Sequence, residues 1–140
     1  MGGVAAMRTG VMPHRIRSFI AQAPVCRLAT GSSSGEPHVV PLCPVFDGNG
    51  TLYVDVGLRS RNAENVAANP SVEVVVDQYE SDWSLLKGVL LSCKAEPASR
   101  EEQKRAWEMI RKKFPQYKDI QWKPRLTLAL RIRSWTSWGF

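Results

Sequence analysis

Asp47-Gly48-Asn49-Gly50-Thr51-Leu52-Tyr53-Val54-Asp55-Val56 reads as a tight turn running into a strand. Gly and Asn accept the positive φ angles that hairpin turns need. The residues after them are β-branched and aromatic, the side chains that suit a pleated surface. The strand feeding this turn spans His38 to Phe46, and its two prolines, Pro41 and Pro44, push it toward a sheet edge or a bulge. Before it, Val25 to Thr30 reads as a strand and Gly31-Ser32-Ser33-Ser34-Gly35-Glu36-Pro37 as a turn cluster.

Downstream of the hairpin, Gly57-Leu58-Arg59-Ser60 leads into a short helix from Arg61 to Ala68, ended by Asn69-Pro70. Ser71 to Tyr79 is a valine-rich strand and Trp83 to Glu96 another. Ser99 and Glu102 form a capping box that opens a helix to Phe114, with Trp107, Ile110 and Phe114 as its buried stripe. Leu126 to Ile132 alternates apolar and polar residues as a half-buried strand. At the front, Ile16, Phe19 and Ile20 share one face of a helix over Met12–Ala23. Short strands joined by tight turns close most economically as an antiparallel barrel. The expectation is one mostly β domain with a few helices over residues 12–140, behind a flexible leader of residues 1–11.

A chain of 140 residues can bury about two-thirds of its unfolded surface without a disulfide or metal staple. The apolar runs are only a few residues long, and the start lacks the apolar core of a signal peptide. A cytoplasmic protein with no membrane partner is expected. Cys26, Cys43 and Cys93 are odd in number and lack C-x-x-C spacing, so they read as reduced core cysteines, with no metal site. The net charge of +6 attracts anions. The strands are mostly valine and leucine, without the interleaved aromatic and basic residues of a nucleic-acid-binding barrel, so nucleic acid is not expected as a partner.

Catalytic constellations are scarce. His14 and His38 have no carboxylate or cysteine at a telling spacing, and Gly-rich phosphate loops are missing. A chain of this kind is inert or borrows its chemistry from a cofactor. The informative local feature is Arg59-Ser60-Arg61, where two fork-shaped donors flank a hydroxyl at a helix start. The competing reading is a solvated basic loop. Of the five tryptophans, Trp107 reads as core, while Trp83, Trp122, Trp135 and Trp138 lie at segment ends or among polar residues. The closing Ser134-Trp135-Thr136-Ser137-Trp138-Gly139-Phe140 is too aromatic for a free tail, and packs on a partner subunit, a ring cofactor or the barrel end.

Taken together, these segments resemble the FMN-binding split-barrel family of pyridoxamine-phosphate-oxidase-like proteins. The resemblance runs from Ile16 to Trp138. It is carried by Val25–Thr30 with Gly35-Glu36-Pro37 and Val39-Val40-Pro41-Leu42, then Leu52–Asp55 with Arg59-Ser60-Arg61 and Asn65–Pro70, then Val74–Tyr79 with Asp82-Trp83. Ser134–Trp138 resembles the tail of a subgroup of coenzyme F-420-dependent enzymes. The resemblance implies a six-stranded antiparallel split barrel that forms a homodimer, with two cofactor sites at the interface. It implies that Arg59, Ser60 and Arg61 bind the phosphate of FMN or F-420, and that Val39, Val40 and Pro41 present backbone and side chain to the ring. Trp83 and Trp135 are the aromatic candidates for the same site. Many members carry a lysine where Asn62 stands here, which puts the phosphate contact on the arginines. The implied activity moves a hydride between the cofactor and a small organic substrate. The alternative is a non-catalytic carrier of a flavin, haem or tetrapyrrole.

Overall fold

The computed structural model describes residues 6–119 and 124–140. Trp122, Lys123 and the first five residues of the expected leader lie outside the described residues. The element order is α1 (His14–Gln22), β1 (Cys26–Gly31), β2 (Pro37–Leu42), β3 (Val45–Phe46), β4 (Thr51–Gly57), α2 (Arg61–Ala68) and β5 (Ser71–Gln78). A 3-10 turn (Trp83–Leu85), β6 (Lys87–Pro97), α3 (Arg100–Lys113), a second 3-10 turn (Pro115–Asp119) and β7 (Arg125–Trp138) follow. No helix is long and apolar enough to cross a membrane.

All strand pairs are antiparallel, in the order β2-β1-β5-β6-β7-β4-β3. The two edge strands, β2 and β3, are consecutive in sequence, separated only by Cys43 and Pro44. Three residue steps span about 10 Å at most, whereas the edges of a flat seven-stranded sheet would stand roughly 29 Å apart. The sheet must therefore curl until its edges face each other, giving a split barrel.

Chain chemistry explains where the elements differ from the sequence expectation. The single strand His38–Phe46 breaks at Cys43-Pro44, so six strands become seven. Trp83 does not open a strand. The Asp82 carboxylate accepts from the Ser84 N–H and hydroxyl, at 3.0 and 2.7 Å, and winds Trp83–Leu85 into a 3-10 turn, so β6 begins at Lys87. The last strand runs past Ile132 to Trp138, beyond a bulge opposite Ser92/Cys93. Trp107 is corrected as well: it is 40% exposed, and the buried stripe of α3 is Ala106 and Ile110. The small alanine lets the helix lie close on the sheet, while the partly exposed indole one position on reaches down to donate to the buried Thr127 hydroxyl at 3.2 Å.

The barrel interior holds Leu28, Leu52, Val54, Val74, Leu91, Leu128 and Leu130, plugged at one end by Met12, Ile16 and Ile20 of the α1 segment. A smaller cluster of Val45, Tyr53, Ala106, Ile110 and Ala129 lies beneath α3 on the outside of the sheet. β4 is buried along Thr51–Val56 because the core covers one face and α3 the other.

Candidate functional site

The end of β4 and the start of α2 form a turn whose backbone is tightly specified. Ser60 N–H donates to Gly57 C=O at 3.0 Å, and Leu58 N–H to Pro124 C=O at 3.1 Å. Ser60 is the N-cap of α2, its hydroxyl accepting from Ala63 N–H at 3.2 Å. The N–H groups of Arg61 and Asn62 precede the first intrahelical acceptor, and the helix dipole adds partial positive charge there. Arg59 and Arg61 are exposed on this turn. The structure thus places Arg59, Ser60 and Arg61 together at the start of α2, with both arginines exposed and Ser60 capping the helix.

The buried face of α2 carries two asparagines. Asn65 Nδ2 donates to Thr30 Oγ1 at 3.0 Å and ties the helix to β1. Asn62 is buried, and its Oδ1 has no hydrogen-bond partner. The β1–β2 turn reaches the same place: Glu36 Oε2 lies 3.7 Å from Arg61 Nη2. Val39 and Pro41 then run along edge strand β2 on the outer face of the sheet, beside Ala29 and Arg27, while Val40 is half-buried on the other face. Val39 is 64% exposed.

At the far end of the β1–β2 ladder this outer face opens into a groove of about 930 Å³. Trp83, Tyr79 and Trp138 supply its aromatic walls, and Lys87 and the Arg27–Asp77 ion pair, at 2.7 Å, its charges. Gly88 is required beneath Trp138, because a Cβ there would overlap the indole. From Gly31, near α2, to Arg27 is about 13 Å along the strand. Trp83 is therefore not beside the arginines, and the exposed strip of Val39 and Pro41 connects the two regions. Trp135 is placed differently again. It is 3% exposed within the barrel core, covered by Arg8, whose guanidinium lies 5.4 Å from its ring and whose backbone pairs with it.

The remaining reactive groups sit elsewhere. Cys26 and Cys93 are buried, and that burial pushes both thiols up to about 12, so neither is a thiolate at neutral pH. Burial and the hydrogen bond its phenol donates to Glu102, at 2.8 Å, raise the pKa of Tyr53 and fix its proton under α3. Tyr79, 73% exposed, lines the groove together with Trp83. Two features escaped the sequence reading: Glu36 beside Arg61, and a small cavity of about 50 Å³ lined by Asp55, Trp107, Tyr117 and Arg125 beneath α3. The first depends on barrel closure and the second on how α3 docks against the sheet, and neither carries a local signal.

Comparison with known proteins bears on the same architecture. A heme-binding protein from Mycobacterium smegmatis superposes with a TM-score of 0.77 at 21% identity, over 93% of this chain and 56% of that one. This chain thus spans little more than half of that relative. A heme storage protein from Vibrio cholerae superposes at 0.73 with 19% identity, covering 87% and 91% of the two chains. A FAD-binding protein from Mesorhizobium loti superposes at 0.72 with 21% identity, covering 94% and 96%. At these identities the likeness is one of fold. No curated protein matches the chain. The family profile described as pyridoxamine 5'-phosphate oxidase matches residues 12–139, and with that match and this architecture the chain belongs to the pyridoxamine 5'-phosphate oxidase family and its split-barrel fold.

Proposed function

We propose that the protein is a homodimeric oxidoreductase that holds FMN or coenzyme F-420 and moves a hydride to or from a small organic substrate. One observation carries the reading. A set of anion donors, Arg59, Ser60 and Arg61, stands at one end of an exposed apolar strip, Val39 to Pro41, that leads to an aromatic groove. Such a surface suits an elongated molecule with a phosphate at one end and a planar ring at the other. The donor chemistry fits: guanidinium forks and helix N–H groups favour phosphate oxygens. When bound, the cofactor would supply the hydride chemistry. The chain's own part is positioning, with Arg59 and Arg61 holding the charged end and Val39 and Pro41 flanking the ring. Exposed Trp83, Tyr79 and Val39 support a partner subunit, which would cover them and exclude water from the site.

A second reading, a carrier of flavin or haem on the same barrel, draws on the heme-binding and heme-storing relatives. Among the described residues the groove lining offers a haem iron the Tyr79 phenol and no imidazole, thiol or thioether. The experiment is an absorption spectrum of the purified protein followed by titration with FMN, F-420 and hemin, then turnover with reduced cofactor. Binding with turnover supports the oxidoreductase. Binding without it supports the carrier, and tight hemin binding alone overturns both the flavin and the F-420 assignments.

A further inference from the structure

We infer that Glu36 is a built-in competitor for the anion at the start of α2, and that phosphate gains full access to Arg61 only when this carboxylate leaves it. The inference rests on the reading of Arg59, Ser60 and Arg61 as the phosphate grip, and assigns that grip an internal regulator.

Three observations carry it. First, Glu36 Oε2 stands 3.7 Å from Arg61 Nη2. A carboxylate and a phosphate present similar oxygens to a guanidinium fork, so both cannot occupy the same face of Arg61. Second, the contact is loose. It is longer than the 2.7–2.9 Å of a charge-assisted hydrogen bond, and both side chains are largely exposed, at 51% and 73%. A pair of this kind yields readily to a doubly charged ligand. Third, the turn holds the backbone that carries Glu36, while its carboxylate stands largely in solvent. Ser32 N–H donates to Glu36 C=O and Glu36 N–H to the Ser32 hydroxyl, both at 2.9 Å, and Gly35 closes the turn at φ +85°. The carboxylate can therefore swing away without remodelling the turn, and returns when the anion leaves.

The arrangement does more than lower affinity. An anion must outbid a carboxylate to reach Arg61, so singly charged ligands gain little there and a phosphate monoester gains more. Glu64, on the same first turn of α2 and exposed, carries an equal charge with no ion pair to Arg61. It separates a specific displacement from a general loss of negative charge.

The test is fluorescence titration of FMN and riboflavin into wild-type, Glu36→Gln, Glu64→Gln, Arg61→Ala and Glu36→Gln/Arg61→Ala proteins. Glu36→Gln should tighten FMN about two- to five-fold, the scale of an exposed ion pair, and leave riboflavin unchanged. Glu64→Gln should change FMN by less, and the Glu36→Gln gain should vanish in the Arg61→Ala background. Equal gains from Glu36→Gln and Glu64→Gln, or no gain from Glu36→Gln while Arg61→Ala still weakens FMN, overturn the competitor alone. The same series is run with F-420 where wild type takes that cofactor in place of FMN; if Arg61→Ala leaves binding of the cofactor taken untouched, or wild type binds neither, the grip reading falls and the inference with it.

Discussion

Glu102 takes both terminal nitrogens of Arg131, at 2.9 and 3.0 Å, and so clamps the first turn of α3 to β7. Glu102 also accepts from Tyr53 and closes the capping box with Ser99. The hydrogen bonds from Arg131, helped by Ser99 and Tyr53, hold its carboxyl at about 2. A carboxylate with a depressed folded pKa contributes stability that is full above its ordinary value near 4.3 and is lost as pH falls toward about 2. Glu102→Gln should lower stability at neutral pH by about 1–2 kcal/mol, between the exposed and buried ion-pair scales. It should also flatten acid unfolding over that window, measured by far-UV circular dichroism.

Asp55 has the opposite sign. Its carboxylate is buried and accepts from Thr127 at 2.7 Å, and burial raises its pKa above the ordinary aspartate value. The folded state then binds the proton more tightly than the unfolded chain, and stability falls as pH rises from about 3.9 through the raised value. Asn in its place keeps the acceptor for Thr127 and removes the buried charge. Asp55→Asn should raise the melting temperature at neutral pH and have no such effect well below pH 4. A lower melting temperature at pH 7 would mean the charge is compensated.

The outer aromatic face gives the assembly prediction. Trp83 is 75% exposed, a large share for an indole that walls a groove. Sedimentation at micromolar concentration should report about twice the 15.7 kDa chain mass. Trp83→Ala should weaken the dimer by about 2 kcal/mol or more, the scale of a buried aromatic anchor, with the fold intact by circular dichroism. A monomeric wild type would remove the partner subunit from the site.

Local chemistry made much of the fold readable in advance. Ser60 and Asn69-Pro70 bound α2 where its caps require, and Ser99 with Glu102 opens α3. The misplacements have equally local causes. Asp82 captures Ser84 before a strand can begin. Ser134–Trp138 lacks a period-two apolar pattern, because its two tryptophans stand three residues apart and so fall on opposite faces of β7, Trp135 in the core and Trp138 outside. The arginine triplet was visible because it is contiguous. Its relation to Glu36, and its separation from Trp83, arise from curling of the sheet, which joins residues far apart in sequence.

The proposed function depends on the phosphate grip, and affinity for FMN against riboflavin in Arg59→Ala and Arg61→Ala proteins tests that grip most directly. Each substitution should weaken FMN by about 1.5–3 kcal/mol, the scale of a charged hydrogen bond, and leave the weaker binding of riboflavin, which has no phosphate, nearly unchanged. Equal losses for both ligands, or no loss for either, would contradict it.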